Sequence, residues 1–77
     1  VLSESTAQVG RRIRELRESR GWTQGELAGL LDRTQTALSY WEAGKRAPGL
    51  DDILELARVF DVETSELLPR PARPLRA

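Results

Sequence analysis

The stretch Thr23-Gln24-Gly25-Glu26-Leu27-Ala28-Gly29-Leu30-Leu31-Asp32-Arg33-Thr34-Gln35-Thr36-Ala37-Leu38-Ser39-Tyr40-Trp41-Glu42-Ala43-Gly44 decides the fold, because it reads as two short helices joined by a very tight turn. Thr23 with Glu26 three residues on is a capping box: the hydroxyl accepts a backbone N–H bond while the carboxylate reaches back to the cap. Leu27, Leu30 and Leu31 recur at i, i+3, i+4 and give this helix one apolar face, with small Ala28 beside them where a second helix can approach closely. Asp32 and Arg33 break the pattern, and Thr34 is the next N-cap. Leu38 and Trp41 then form a second apolar stripe on a helix from Gln35 to Ala43, ended by Gly44, a residue suited to the left-handed C′ position. Two short helices set this close have the spacing of a helix-turn-helix.

Upstream, Ser5-Thr6-Ala7-Gln8 offers another capping box, and Val9, Ile13 and Leu16 at i, i+4, i+7 set the apolar stripe of a first helix that stops at Gly21. Trp22 is expected to cover the core over the first and second helices; stacking on an unpaired base is the weaker use at that position. Arg17 borders the apolar stripe, where it either has an anionic partner or snorkels to water. Downstream, Lys45-Arg46-Ala47-Pro48-Gly49 is a basic loop whose proline blocks continuation of the helix before it. Leu50, Ile53, Leu54, Ala57 and Phe60 predict a fourth helix capped by Gly49, with Asp51 and Asp52 in the first turn, where carboxylates suit the helix dipole. A short fifth helix is predicted over Thr64 to Leu68, halted by Pro69. The expectation is an all-α, compact bundle of about five short helices with a central helix-turn-helix over residues 1–68, followed by a Pro/Arg-rich tail or linker over residues 69–77.

With 77 residues the chain is one small domain, near the size where a hydrophobic core just suffices. It has no cysteine and no histidine, which removes disulfides, thiolate or imidazole metal sites and a histidine general base. No cluster of acid, base and nucleophile stands out, so neither an enzyme nor a cofactor is expected. No apolar run approaches the roughly 18 residues of a membrane span, and the first residues lack a signal-peptide pattern, so a cytoplasmic protein with no membrane partner is expected.

The formal net charge is +0, but its distribution is uneven. From Val9 to Pro48 the balance is +3, whereas from Gly49 to Leu68 Arg58 alone stands against Asp51, Asp52, Glu55, Asp61, Glu63 and Glu66. Taken alone such clusters are ordinary solvated faces. Combined with a helix-turn-helix, the basic half becomes the half that faces phosphates.

Gln24-Gly25-Glu26-Leu27-Ala28, and then Thr34 through Trp41-Glu42-Ala43-Gly44-Lys45-Arg46-Ala47-Pro48, resemble the phage repressor and Cro type helix-turn-helix family, also called the xenobiotic response element family. The resemblance runs from about Val9 to Leu68. It implies a lambda-repressor-like DNA-binding domain whose partner is double-stranded DNA, acting as a transcriptional regulator, most simply a repressor, of bacterial or phage type. It also pairs Arg17 with Glu42 at the end of the third helix. In such proteins the second helix of the motif enters the major groove, which marks Gln35, Thr36, Ser39 and Tyr40 for base contact, Gln35 through a bidentate amide–adenine pair. Phosphate contacts fall to Gln24 and Thr34 at the two helix N-termini, to Lys45 and Arg46, and to Arg33 and Arg12. Useful affinity calls for two half-sites about 34 Å apart, hence a homodimer, with Leu67 and Leu68 as the expected dimer surface. The alternative is an antitoxin or recruitment module that binds protein first and DNA second. This chain departs from the family at the turn, where Asp32 and Arg33 replace the usual glycine and buried aliphatic residue.

Overall fold

The computed structural model describes residues 4–69. They form α1 (Glu4–Ser19), α2 (Gln24–Leu31), α3 (Gln35–Glu42) and α4 (Leu50–Phe60), followed by a 3-10 turn at Thr64–Glu66, with no strand among the described residues. The fifth helix expected over Thr64 to Leu68 is therefore a single 3-10 turn. Pro69 disfavours helical backbone at Leu68, which leaves too few residues for an α-helical ladder. The proposed tail beyond Pro69 lies outside the described residues.

The local signals of the central stretch translate directly into geometry. Thr23 Oγ1 accepts from the Glu26 amide at 3.0 Å while Glu26 Oε1 accepts from the Thr23 amide at 2.8 Å. Thr34 Oγ1 accepts from the Ala37 amide at 3.1 Å and starts α3. Between the two helices, Asp32 takes left-handed backbone, φ 55° and ψ 45°, so that the Arg33 amide can donate to the Ala28 carbonyl at 2.9 Å. An aspartate there costs about 1 kcal/mol relative to glycine. At the end of α3, Gly44 adopts φ 74° and the Lys45 amide donates to the Tyr40 carbonyl at 2.9 Å, closing the helix. The first helix begins at Glu4, so Ser5 sits inside its first turn rather than capping it.

One core joins all the elements: Val9, Ile13 and Leu16 of α1, Leu27, Ala28 and Leu31 of α2, Leu38 and Trp41 of α3, Ile53, Leu56, Ala57 and Phe60 of α4, and Leu67. Several apolar residues sit differently from the sequence expectation. On α2 the buried set is Leu27 with i+1 and i+4, and Leu30 is 51% exposed. On α4 the stripe pivots about Leu56, which leaves Leu50 and Leu54 exposed. Trp22 packs against the core as expected, and its ring also stacks on Phe60 at the end of α4, with centroids 6.0 Å apart. Arg20 lies over the same phenyl ring, 5.1 Å from its centroid, and donates to the Phe60 carbonyl.

Leu67 is fully buried and cannot serve as a dimer surface. The 3-10 turn folds it back into the core, and Arg12 secures that turn by donating to the Glu66 carbonyl at 2.9 Å. Leu68, one residue on, remains exposed.

The most extensive helix contact is between α1 and α3. It depends on Gly10, which is buried: a methyl group there would overlap the Trp41 carbonyl oxygen and lie 3.1 Å from that of Glu42. The backbones of the two helices touch, which only a residue without Cβ permits.

Candidate nucleic-acid interface

With Leu38 and Trp41 turned into the core, the opposite side of α3 presents Gln35, Thr36, Ser39 and Tyr40, all exposed. Their i, i+1, i+4, i+5 spacing places them on one face. Gln35, Thr36 and Ser39 line a shallow depression together with Gln24 from the start of α2. A second depression adjoins it, since Gln24 and Ser39 also line a hollow with Arg14, Arg17, Glu42 and Ala43. Gln24 and Ser39 line both depressions, so the start of α2, the face of α3 and the adjoining part of α1 share one polar surface.

This surface is held from beneath by an ion pair. Arg17 Nε and Nη2 donate to the two carboxylate oxygens of Glu42 at 2.6 and 2.9 Å, a bidentate pair, and Arg17 Nη1 donates to the Trp22 carbonyl at 2.7 Å. The Glu42 side chain is only 4% exposed and that of Arg17 11%. Hydrogen bonding to Glu42 raises the Arg17 guanidinium above its ordinary value against the opposing effect of burial, so the cation persists at every accessible pH. Gln24 Nε2 donates to Glu42 Oε1 at 3.1 Å, which connects the start of α2 to the same carboxylate.

The basic residues expected on phosphate divide into two groups. Lys45 and Arg46 are exposed and form no ion pair among the described residues. Arg12 and Arg33 are engaged elsewhere. Arg12 reaches Glu66 and Glu15, so it belongs to the side of α1 that packs on the 3-10 turn. Arg33 Nε donates to Asp52 Oδ1 at 2.7 Å, a bond that raises its guanidinium above the ordinary value. The other oxygen of Asp52 accepts from the Gly49 amide at 3.1 Å and caps α4. Arg33, standing where the family has a buried aliphatic residue, therefore ties the turn to α4 by charge instead of apolar contact.

Sequence reasoning missed Arg14, which borders the surface from α1. The signal available was its position three residues before Arg17, on the same side of the helix.

A helix-turn-helix family model matches residues 13–67. The regulator ImmR of Bacillus subtilis, named an HTH-type transcriptional regulator, is 37% identical over 60 residues, 78% of this chain and 47% of that protein. The restriction-modification controller protein C.AhdI of Aeromonas hydrophila superposes with a TM-score of 0.77 at 36% identity, over 82% of this chain and 96% of that one. The DNA-binding domain of BldD from S. venezulae gives a TM-score of 0.77 at 28% identity, over 87% of this chain and 100% of that one. The chain spans between 20% and 51% of the length of the curated relatives it matches. A motif whose caps, turn and supporting ion pair are all in place, and a family match over most of the described residues, lead to one conclusion: this chain belongs to the Cro/C1-type helix-turn-helix family.

Proposed function

We propose that this chain is the DNA-binding part of a transcriptional regulator and that it reads operator sequence by laying α3 in the major groove. Gln35, Thr36, Ser39 and Tyr40 meet base edges. Gln24 and Thr34, at the N-termini of α2 and α3, and Lys45 and Arg46 beyond α3 meet phosphates. The observation that carries this reading is the face of α3: four exposed side chains that make no hydrogen bond within the described residues, on a helix anchored at its far end by a buried ion pair. The polar groups of these side chains are not used by the fold and are free to pair with bases. Arg12 and Arg33 stay with their carboxylates as scaffold cations.

The test is titration of wild type and Gln35→Ala against an operator duplex selected by the wild-type protein and against a random-sequence duplex. Gln35→Ala is expected to weaken operator binding by about 1–3 kcal/mol and to leave random-sequence binding nearly unchanged. Equal losses on both duplexes would remove Gln35 from the readout set.

The regulator acts as a homodimer on two half-sites, because one small module covers too little DNA for useful affinity. With Leu67 in the core, the dimer surface shifts to exposed leucines of the C-terminal half: Leu68 after the 3-10 turn, and Leu50 and Leu54 one turn apart on α4. Leu54→Asp is expected to lower affinity for two-half-site DNA at least tenfold while the thermal unfolding midpoint stays within about 2 °C of wild type. Undiminished affinity with an unchanged mass in solution would place the dimer contact elsewhere.

A further inference from the structure

We infer that Arg14 is a DNA-backbone contact and that Glu18 competes with the phosphate for it, which makes Glu18 a built-in limit on affinity; this rests on the DNA-binding reading given above. Arg14 lies on the edge of α1 that abuts α3. On the same face, Ala7 packs against Gly44 with its Cα 3.3 Å from where a Gly44 Cβ would sit, so the residue before the Lys45–Arg46 loop lies against α1. Arg14 then lines the hollow shared with Gln24, Ser39, Glu42 and Ala43, at the C-terminal end of α3. Of the two cations lining that hollow, Arg17 is locked bidentate on Glu42 and is not available. Arg14 is different. Its side chain is 63% exposed and its one ion-pair partner among the described residues is Glu18, at 3.1 Å in an i, i+4 arrangement with Glu18 55% exposed.

An exposed pair of that kind is weak and screened by salt. A phosphate offers the guanidinium a doubly charge-assisted, bidentate partner, and releases a counterion when it is met. The exchange of Glu18 for phosphate is therefore favourable, but it is opposed by the carboxylate that the guanidinium must leave. Glu18 also lies 3.9 Å from Arg17, and it remains beside the incoming phosphate after Arg14 has moved. Removing its charge while keeping its shape relieves both effects.

The experiment compares wild type, Arg14→Ala, Arg14→Lys, Glu18→Gln and the double variant Arg14→Ala with Glu18→Gln. Each is titrated at several salt concentrations with the selected operator duplex and with a random-sequence duplex of equal length. Arg14→Ala is expected to weaken both duplexes to a similar extent, about three- to tenfold at low salt, and to make the salt slope shallower by about one unit per protomer. Arg14→Lys restores the slope, because the point charge is kept. Glu18→Gln is expected to tighten both duplexes by about two- to fivefold at low salt, and this gain vanishes when Arg14 is alanine. An unchanged slope in Arg14→Ala overturns the contact, and a Glu18→Gln gain that persists in the double variant overturns the competition. A wild-type protein that binds neither duplex would overturn the DNA-binding reading itself. All the substituted positions are exposed, so a change in folding is not expected, and thermal unfolding of each variant checks this.

Discussion

Replacing Arg17 with methionine is expected to cost on the order of 3 kcal/mol of folding stability. The reason lies with the partner left behind. Glu42 closes the C-terminal turn of α3, where the helix dipole already disfavours negative charge, and its side chain is 4% exposed. Without the guanidinium, its carboxylate keeps one hydrogen bond, from Gln24, and must take up a proton or disturb the helix to reach water. A domain of 77 residues has roughly 4–12 kcal/mol of stability in all, so the loss is a large share of the total. Because the pair is shielded from solvent, the loss persists at high salt, unlike that of a surface pair. Chemical denaturation of Arg17→Met, Glu42→Gln and the double variant closes the cycle, and strictly additive losses would mean that the two side chains do not interact.

The second large effect is expected at Gly10. Glycine to alanine within a helix normally gains up to about 1 kcal/mol, and Gly29→Ala is expected to do so, since a Cβ at Gly29 meets nothing within 4 Å. At Gly10 the sign reverses. The added methyl would overlap the Trp41 carbonyl oxygen and press on Glu42, and these are backbone atoms that cannot rotate away. Relief requires α1 and α3 to separate, which opens the core at Ile13, Leu38 and Trp41. A net loss of about 3 kcal/mol or more follows, together with weaker operator binding as α3 shifts. Urea denaturation of the two alanine variants side by side provides the measurement, and a Gly10→Ala protein as stable as Gly29→Ala would exclude the close crossing of the two helices.

Most features written in adjacent residues were legible in the sequence, the cap expected at Ser5 excepted because α1 begins at Glu4. Both threonine caps, the stop at Gly44 and the acidic first turn of α4 depend on residues within a few positions of one another, and each is present. The Arg17–Glu42 pair spans 25 positions and its partner came from family resemblance; the residues alone showed only a charge beside an apolar stripe, with a snorkelling surface arginine as the lesser reading. What the sequence did not disclose depends on how the helices rotate against one another. Leu54 and Leu56 are chemically alike and two positions apart on α4, and only packing decides that Leu56 is buried while Leu54 faces water. Leu67 and Leu68 pose the same choice, settled by the 3-10 turn and by Arg12. Gly10 gave no signal because glycine within a helical pattern is otherwise only a weak helix former. The partition of the arginines among Glu66, Glu42, Asp52 and the open surface around α3 is likewise a property of assembled surfaces, and their number in the chain carries no information about it.

The way α3 is held has a consequence for how such a domain changes over evolutionary time. Eight residues are too few for a helix to persist by itself in water. This one is fixed by its neighbours through Leu38 and Trp41 in the core, the Trp41 backbone against Gly10, and Glu42 on Arg17. Gln35, Thr36, Ser39 and Tyr40 take no part in any of these attachments. On the proposed reading, substitutions at those four exposed positions leave these attachments in place, so a duplicated copy can drift toward a new operator while its architecture stays intact.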